Sequence, residues 1–116
     1  MPTVVVFSGE YDVACKEQFR QELSRLKASG DVVLDFSDVS YVDSTIVAEL
    51  LLLAKDRIYA GLQAETIVLP NNSRIRRIFD LVHLGKVIRI VESLDRLSRN
   101  GAFDTRYAFS NGSASA

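Results

Sequence analysis

The sequence predicts an α/β domain built on a mostly parallel sheet, and three observations carry that expectation. Short β-branched, apolar runs alternate four times with stretches of helical period. Glycine, proline and small polar residues stand where such elements end. The order strand, helix, strand, helix, repeated to the end, is that of strands linked by crossover helices.

Val4-Val5-Val6-Phe7 reads as a buried strand that stops at Ser8-Gly9. From Ala14 to Ala28 the period changes. Phe19, Leu23 and Leu26 share one stripe, while Lys16, Glu17, Arg20, Glu22 and Lys27 lie largely elsewhere, so an amphipathic helix is expected, ending near Gly30. Val32–Phe36 is the second strand, followed by a polar bend. Residues 44 to about 60 form the second helix, with Val47, Leu50, Leu51, Ala54 and Ile58 inward and Gly61 just past its end. Thr66-Ile67-Val68-Leu69 is the third strand, closed by Pro70. Asn72 or Ser73 caps a short helix bearing Ile75, Ile78, Phe79 and Val82. Val87–Val91 is the fourth strand, and Ser93 caps a last helix that turns Leu94 and Leu97 inward before Asn100-Gly101.

Residues 1–101 therefore form one domain, which suits a 116-residue chain that is 47% hydrophobic. Residues 102–116 show no period and form a C-terminal tail expected to be partly disordered, with Phe103, Tyr107 and Phe109 able to dock part of it. Asp35, Glu65 and Arg89 put polar groups at alternate strand positions or strand ends. One sheet face is thus expected to be less covered, with about four helices gathered on the other.

A net charge of −1 supplies no field to recruit nucleic acid or an anionic membrane. The longest apolar run, Leu50–Ala54, is far short of the roughly 20 residues that span a bilayer, so no membrane association of the chain by itself is expected. One cysteine, Cys15, and a start without a charged and apolar leader point to a reducing, cytoplasmic setting.

The most suggestive chemistry is Asp43-Ser44-Thr45 at the start of the second helix. A carboxylate or hydroxyl there caps free amides and needs no further role. A phosphate added at the same place would bring about −1.5 to −2 charges to a helix end that favours anions, leaving the fold intact while repelling a facing partner. Catalytic constellations are not evident: Ser44 has no histidine partner in sequence, and neither a Gly-x-Ser-x-Gly elbow nor a glycine-rich phosphate loop occurs. No enzyme activity and no cofactor are expected. His83, the only histidine, reads as a turn residue rather than a metal ligand. Asp35, Asp38 and Asp43 lack the spacing of a cation loop, and Arg74, Arg76 and Arg77 read as a solvated helix face.

Gly9-Glu10-Tyr11-Asp12 after the first strand, the run Val33-Leu34-Asp35-Phe36-Ser37-Asp38-Val39-Ser40-Tyr41-Val42-Asp43-Ser44, and Leu69-Pro70-Asn71-Asn72-Ser73 followed by Arg76-Arg77-Ile78-Phe79 and Leu84-Gly85 together resemble the STAS domain of anti-sigma factor antagonists. The resemblance covers roughly residues 3–99. It implies a sheet of four or five strands, mostly parallel but mixed, with helices mainly on one side. It also implies a partner-switching role. By that resemblance the unphosphorylated protein is expected to bind an anti-sigma factor that is also a serine kinase, to free a sigma factor, and to be switched off by phosphorylation. The family's phosphoacceptor maps onto Ser44, with Thr45 the second choice, and Glu10, Asp12, Asp43, Ser44 and Thr45 are the expected partner-binding residues. Asp12 is equally well explained as the cap of the first helix. The family commonly has glycine two residues after the acceptor, where this chain has Ile46, a β-branched residue expected to add bulk beside it.

Two other readings remain open at this level. A STAS scaffold can bind a protein or small ligand without phosphorylation, Ser44 being only a cap. A receiver-like domain would accept phosphate on an aspartate with magnesium, but its acidic pair is missing where the first strand ends Phe7-Ser8-Gly9. The exposed strand positions and aromatic tail leave room for a homodimer.

Overall fold

The computed structural model describes residues 2–97 and 104–111. Strands β1 (Thr3–Tyr11), β2 (Val32–Val42), β3 (Thr66–Val68), β4 (Arg89–Val91) and β5 (Asp104–Asn111) form one sheet in the order β4-β3-β2-β1-β5. Every neighbouring pair is parallel, so the mixed sheet that the resemblance implied is a purely parallel one. Three helices, α1 (Lys16–Ser24), α2 (Ser44–Tyr59) and α3 (Arg76–Leu81), are joined by single 3-10 turns at Val13–Cys15, Leu84–Lys86 and Leu94–Arg96.

The two longest strands outrun the sequence expectation for the same reason. β1 continues through Ser8-Gly9 to Tyr11, because Gly9, at φ 96°, takes up a register shift instead of a turn. In β2 the polar stretch is not a bend. A register shift falls opposite Phe7, and there the Asp35 carboxylate accepts from Ser37 N at 2.9 Å and from Ser37 Oγ at 2.6 Å. The bulges carry both strands forward together, and this sets the ends of β1 and β2 side by side, with Tyr11 opposite Val42.

At the other end of the chain the elements are shorter. The fourth strand begins at Arg89 because Leu84–Lys86 forms a 3-10 turn, entered through His83 in the left-handed conformation at φ 56°. The last predicted helix is a single 3-10 turn, Leu94–Arg96, and its expected continuation to Asn100 lies outside the described residues. Residues 104–111 add to β1 as an edge strand. Phe103 and residues 112–116 also lie outside the described residues.

All three helices cover one face of the sheet. Phe7, Tyr11, Phe19, Phe36 and Phe79, each fully buried, interlock there with ring centroids 5.1–6.4 Å apart. Tyr11 keeps a partner for its hydroxyl, which accepts from Ser8 N at 3.2 Å, and burial pushes its pKa up to about 12. The opposite face is the thinner one. Among the described residues, Val4, Val33 and Val68 pack there with Val6, Val91, Leu94 and Leu97.

The inward stripe of α2 differs from the expected one. Ile46, Val47, Leu50, Leu53, Ala54 and Arg57 are buried, whereas Ile58 is 54% exposed and Leu51 only half-buried. The stripe is rotated because Arg57 takes the inward place. Its guanidinium donates to the carbonyls of Gln63 (2.8 Å), Leu26 (2.6 Å), Ser29 (2.9 Å) and Gly30, stitching the end of α2 to the α1–β2 connection. Between the helices, Arg20 grips Glu49 through two bonds of 3.0 and 2.8 Å, and this contact holds the Glu49 carboxyl below its usual range.

Glu65 also departs from the outward direction expected for it. It shares the inward parity of Ile67 rather than the outward parity of Thr66, and it is completely buried, with neither carboxylate oxygen hydrogen-bonded among the described residues. Burial raises its pKa from 4.5 to about 7, with the Arg57 cation opposing that rise. A folded-state pKa above the unfolded value contributes stability that is complete below pH 4.5 and is lost as pH rises through about 7. We expect denaturant midpoints to fall between pH 5 and pH 8 by the equivalent of about 3 kcal/mol, and Glu65→Gln to flatten that slope. A slope unchanged in Glu65→Gln would contradict this.

Candidate functional site

Parallel strands end together, and the carboxyl ends of β1 and β2 bring two polar turns into contact. After β1, Asp12 caps the 3-10 turn, its Oδ1 accepting from Ala14 N at 2.9 Å. The Asp12 carbonyl also accepts from Cys15 N at 3.1 Å and from Cys15 Sγ at 3.3 Å. After β2, Asp43 caps α2, its Oδ1 accepting from Ile46 N at 3.2 Å. The second oxygen of the same carboxylate accepts from Val13 N at 3.0 Å, thirty residues away in sequence. Asp43 is thus a cap and a clasp at once.

Ser44 is the first residue of α2 and is exposed, and Thr45 is half-buried behind it. The first turn of α2 contains no acidic residue, so apart from the Asp43 cap no carboxylate of the helix competes for its free amides. Ile46, fully buried, points into the core rather than toward the acceptor, so the bulk expected beside Ser44 is not there.

Glu10 is exposed at the end of β1, opposite Tyr41 in register. Glu10, Asp12, Asp43, Ser44 and Thr45 therefore gather at one end of the sheet. Among the basic residues, Arg76 is half-buried and donates to the Leu69 carbonyl at 3.0 Å, which makes it structural, while Arg74 and Arg77 stay exposed. Among the described residues no group of three or more His, Cys, Asp or Glu side chains gathers as a metal site would require, and no helix is long and apolar enough to cross a membrane.

One link escaped the sequence. The Val13 amide had no reason to be singled out, since its partner comes from a different turn. The outer stripe of α2 was legible: Ser44, Ala48, Leu52, Lys55 and Tyr59 follow the three- and four-residue spacing of one helix face. Leu52 is 47% exposed and Tyr59 88%, and beside them Leu51, Lys55, Ile58, Tyr59 and Val87 line an apolar surface depression. We expect Asp43→Ala, which loses cap and clasp together, to lower stability by about 1–2 kcal/mol in a urea titration. A midpoint equal to wild type would show the clasp to be incidental.

A parallel sheet covered on one face by helices, with an exposed hydroxyl at the helix start beside two capping aspartates, defines a small α/β domain. The family profile of the STAS domain matches residues 2–97, and the chain belongs to that family. Among solved structures it resembles the anti-sigma factor antagonist SpoIIAA in its unphosphorylated form, with a TM-score of 0.66 at 22% identity over 84% of this chain and 87% of that one. It resembles the phosphorylated form of the Bacillus cell fate determinant SpoIIAA with a TM-score of 0.58 at 24% identity over 84% and 89%. A candidate anti-sigma factor antagonist of Thermotoga maritima matches with a TM-score of 0.64 at 18% identity over 79% and 83%. At these identities the likeness establishes the fold.

Proposed function

We propose that this domain is an anti-sigma factor antagonist that works by switching partners. In its unphosphorylated form it binds an anti-sigma factor with serine kinase activity and so frees a sigma factor. The kinase then moves the γ-phosphoryl group of ATP to Ser44: the bond from phosphorus to the ADP oxygen breaks, one from phosphorus to Ser44 Oγ forms, and the hydroxyl proton passes to a base of the kinase. The domain itself supplies no catalytic group.

The observation that carries this reading is the exposed Ser44 at the head of an exposed, partly apolar stripe on a 16-residue helix. Such a stripe suits docking of another protein. A phosphate at its head is held by the helix dipole and first-turn amides while placing two negative charges in the docked face. Ser44 is the acceptor because it is exposed where Thr45 is half-buried. Glu10, Asp12 and Asp43 frame the same face. Ile46, turned into the core, leaves the Ser44 side of the turn to solvent, which supports the reading of Ser44 as acceptor.

The test is capture of partners from lysate of the native host on immobilised protein, with and without ATP. The reading expects a sigma-regulating kinase to be retained without ATP and released with it, and to be retained in both conditions by Ser44→Ala. Retention by wild type that ignores ATP would overturn it.

A further inference from the structure

We propose that Asp43 is a positioning residue that carries the charge state of Ser44 to the Val13–Cys15 turn, so that phosphate on Ser44 releases that turn from α2. The proposal rests on the reading of Ser44 as phosphoacceptor and adds a second element to the surface that phosphorylation alters.

A single carboxylate joins the two turns. Asp43 Oδ1 accepts from Ile46 N and Oδ2 from Val13 N, so a displacement of the carboxylate disturbs both bonds. Phosphate on the adjacent Ser44 is an anion of greater charge with three acceptor oxygens, aimed at the same first-turn amides. It competes with Asp43 for them and repels its carboxylate. Displacement of that carboxylate takes away the Val13 bond as well.

Among the described residues nothing comparable replaces that bond. The remaining hydrogen bonds of the turn are internal to it or local: Ala14 N and Cys15 N to Asp12, Cys15 Sγ to the Asp12 carbonyl, and Lys16 N to the Val13 carbonyl. They preserve the turn's shape but do not tie it to α2. Val13 itself is 63% exposed and contributes little packing to hold the turn in place. Next to it, Cys15 is buried at 4% exposure and packs in the core with Tyr11 and Phe19. The lone cysteine is therefore a built-in reporter of whether the turn is seated.

The experiment uses the full chain with phosphoserine introduced at position 44, alongside wild type, Ser44→Ala and Asp43→Asn. Asparagine keeps one oxygen for the helix cap, where it serves about as well as aspartate, and loses the second acceptor that Val13 needs. The readouts are the rate of Cys15 alkylation by a maleimide and amide hydrogen exchange at Val13, with Leu50 and Leu53 as core controls. Phosphoserine and Asp43→Asn are expected to speed both readouts by about tenfold, the scale of one charge-assisted hydrogen bond lost, with the core amides and Ser44→Ala unchanged. Labelling of the phosphoserine protein within about twofold of wild type overturns the proposal. So does equal acceleration at Leu50 and Leu53, which would mean global unfolding. Neither readout needs a partner or kinase. Loss of partner binding without faster labelling sinks the coupling and leaves the switch standing, and faster labelling with full partner binding does the reverse.

Discussion

Arg57→Ala is expected to lower the stability of the domain by about 3–5 kcal/mol, visible as a large fall in the urea midpoint with an unchanged slope. The truncation leaves the carbonyls of Leu26, Ser29, Gly30 and Gln63 without their donor, each at a cost of about 1–3 kcal/mol before water reaches it. It also removes the cation that opposes the upward shift of Glu65. The loss should therefore be larger at pH 8, where Glu65 would be charged and alone, than at pH 5, where it is neutral. Glu65→Leu introduced together with Arg57→Ala should recover part of the difference at pH 8 only. A loss below about 1 kcal/mol would show that the guanidinium is dispensable, and a larger loss independent of pH would contradict its coupling to Glu65.

The second large effect concerns binding. Ser44→Asp is expected to weaken the complex with the partner kinase by at least about a hundredfold while the far-UV spectrum and thermal midpoint stay native. In the proposed complex a charge at the head of the exposed stripe would face a partner surface that accepts a neutral hydroxyl, and like or unpaired charges in an interface cost several kcal/mol. The fold tolerates the charge because it sits at the amino end of α2, where the dipole favours it and no acidic neighbour in the first turn opposes it. Ser44→Ala should bind as wild type does. Thr45→Ala, changing a half-buried hydroxyl, should leave phosphorylation in place. Equal affinity of Ser44→Asp and wild type would count against the switch.

Periodicity made the parallel sheet and its three real helices legible, since Phe19 and Leu23, or Val47, Leu50 and Ala54, can share a face only in a helix. It failed where one side chain overrode the pattern. Ile58 was expected inward, yet Arg57 takes that side with four carbonyls to satisfy it, and Ile58 is exposed. Glu65 was read as outward because a buried carboxylate without a partner is costly, and only strand parity reveals its direction. The long strands were cut short at Gly9 and Ser37 because a bulge and a turn use the same residues. At the candidate site, cap chemistry was legible in sequence, and Asp12 and Asp43 each cap the element that follows them. What joins them, the Asp43 carboxylate on the Val13 amide, is a contact between turns that no local pattern encodes. Ile46 illustrates the opposite error, since its bulk mattered in sequence and vanishes into the core in three dimensions.

The most direct test of the partner switch is site-resolved mass spectrometry of the full chain after incubation with lysate of its native host and ATP. The account predicts a single phosphate on Ser44, absent from Ser44→Ala and not transferred to Thr45 in that variant. A chain that stays unmodified at Ser44 while still capturing its partner, or that carries its phosphate elsewhere, would contradict it.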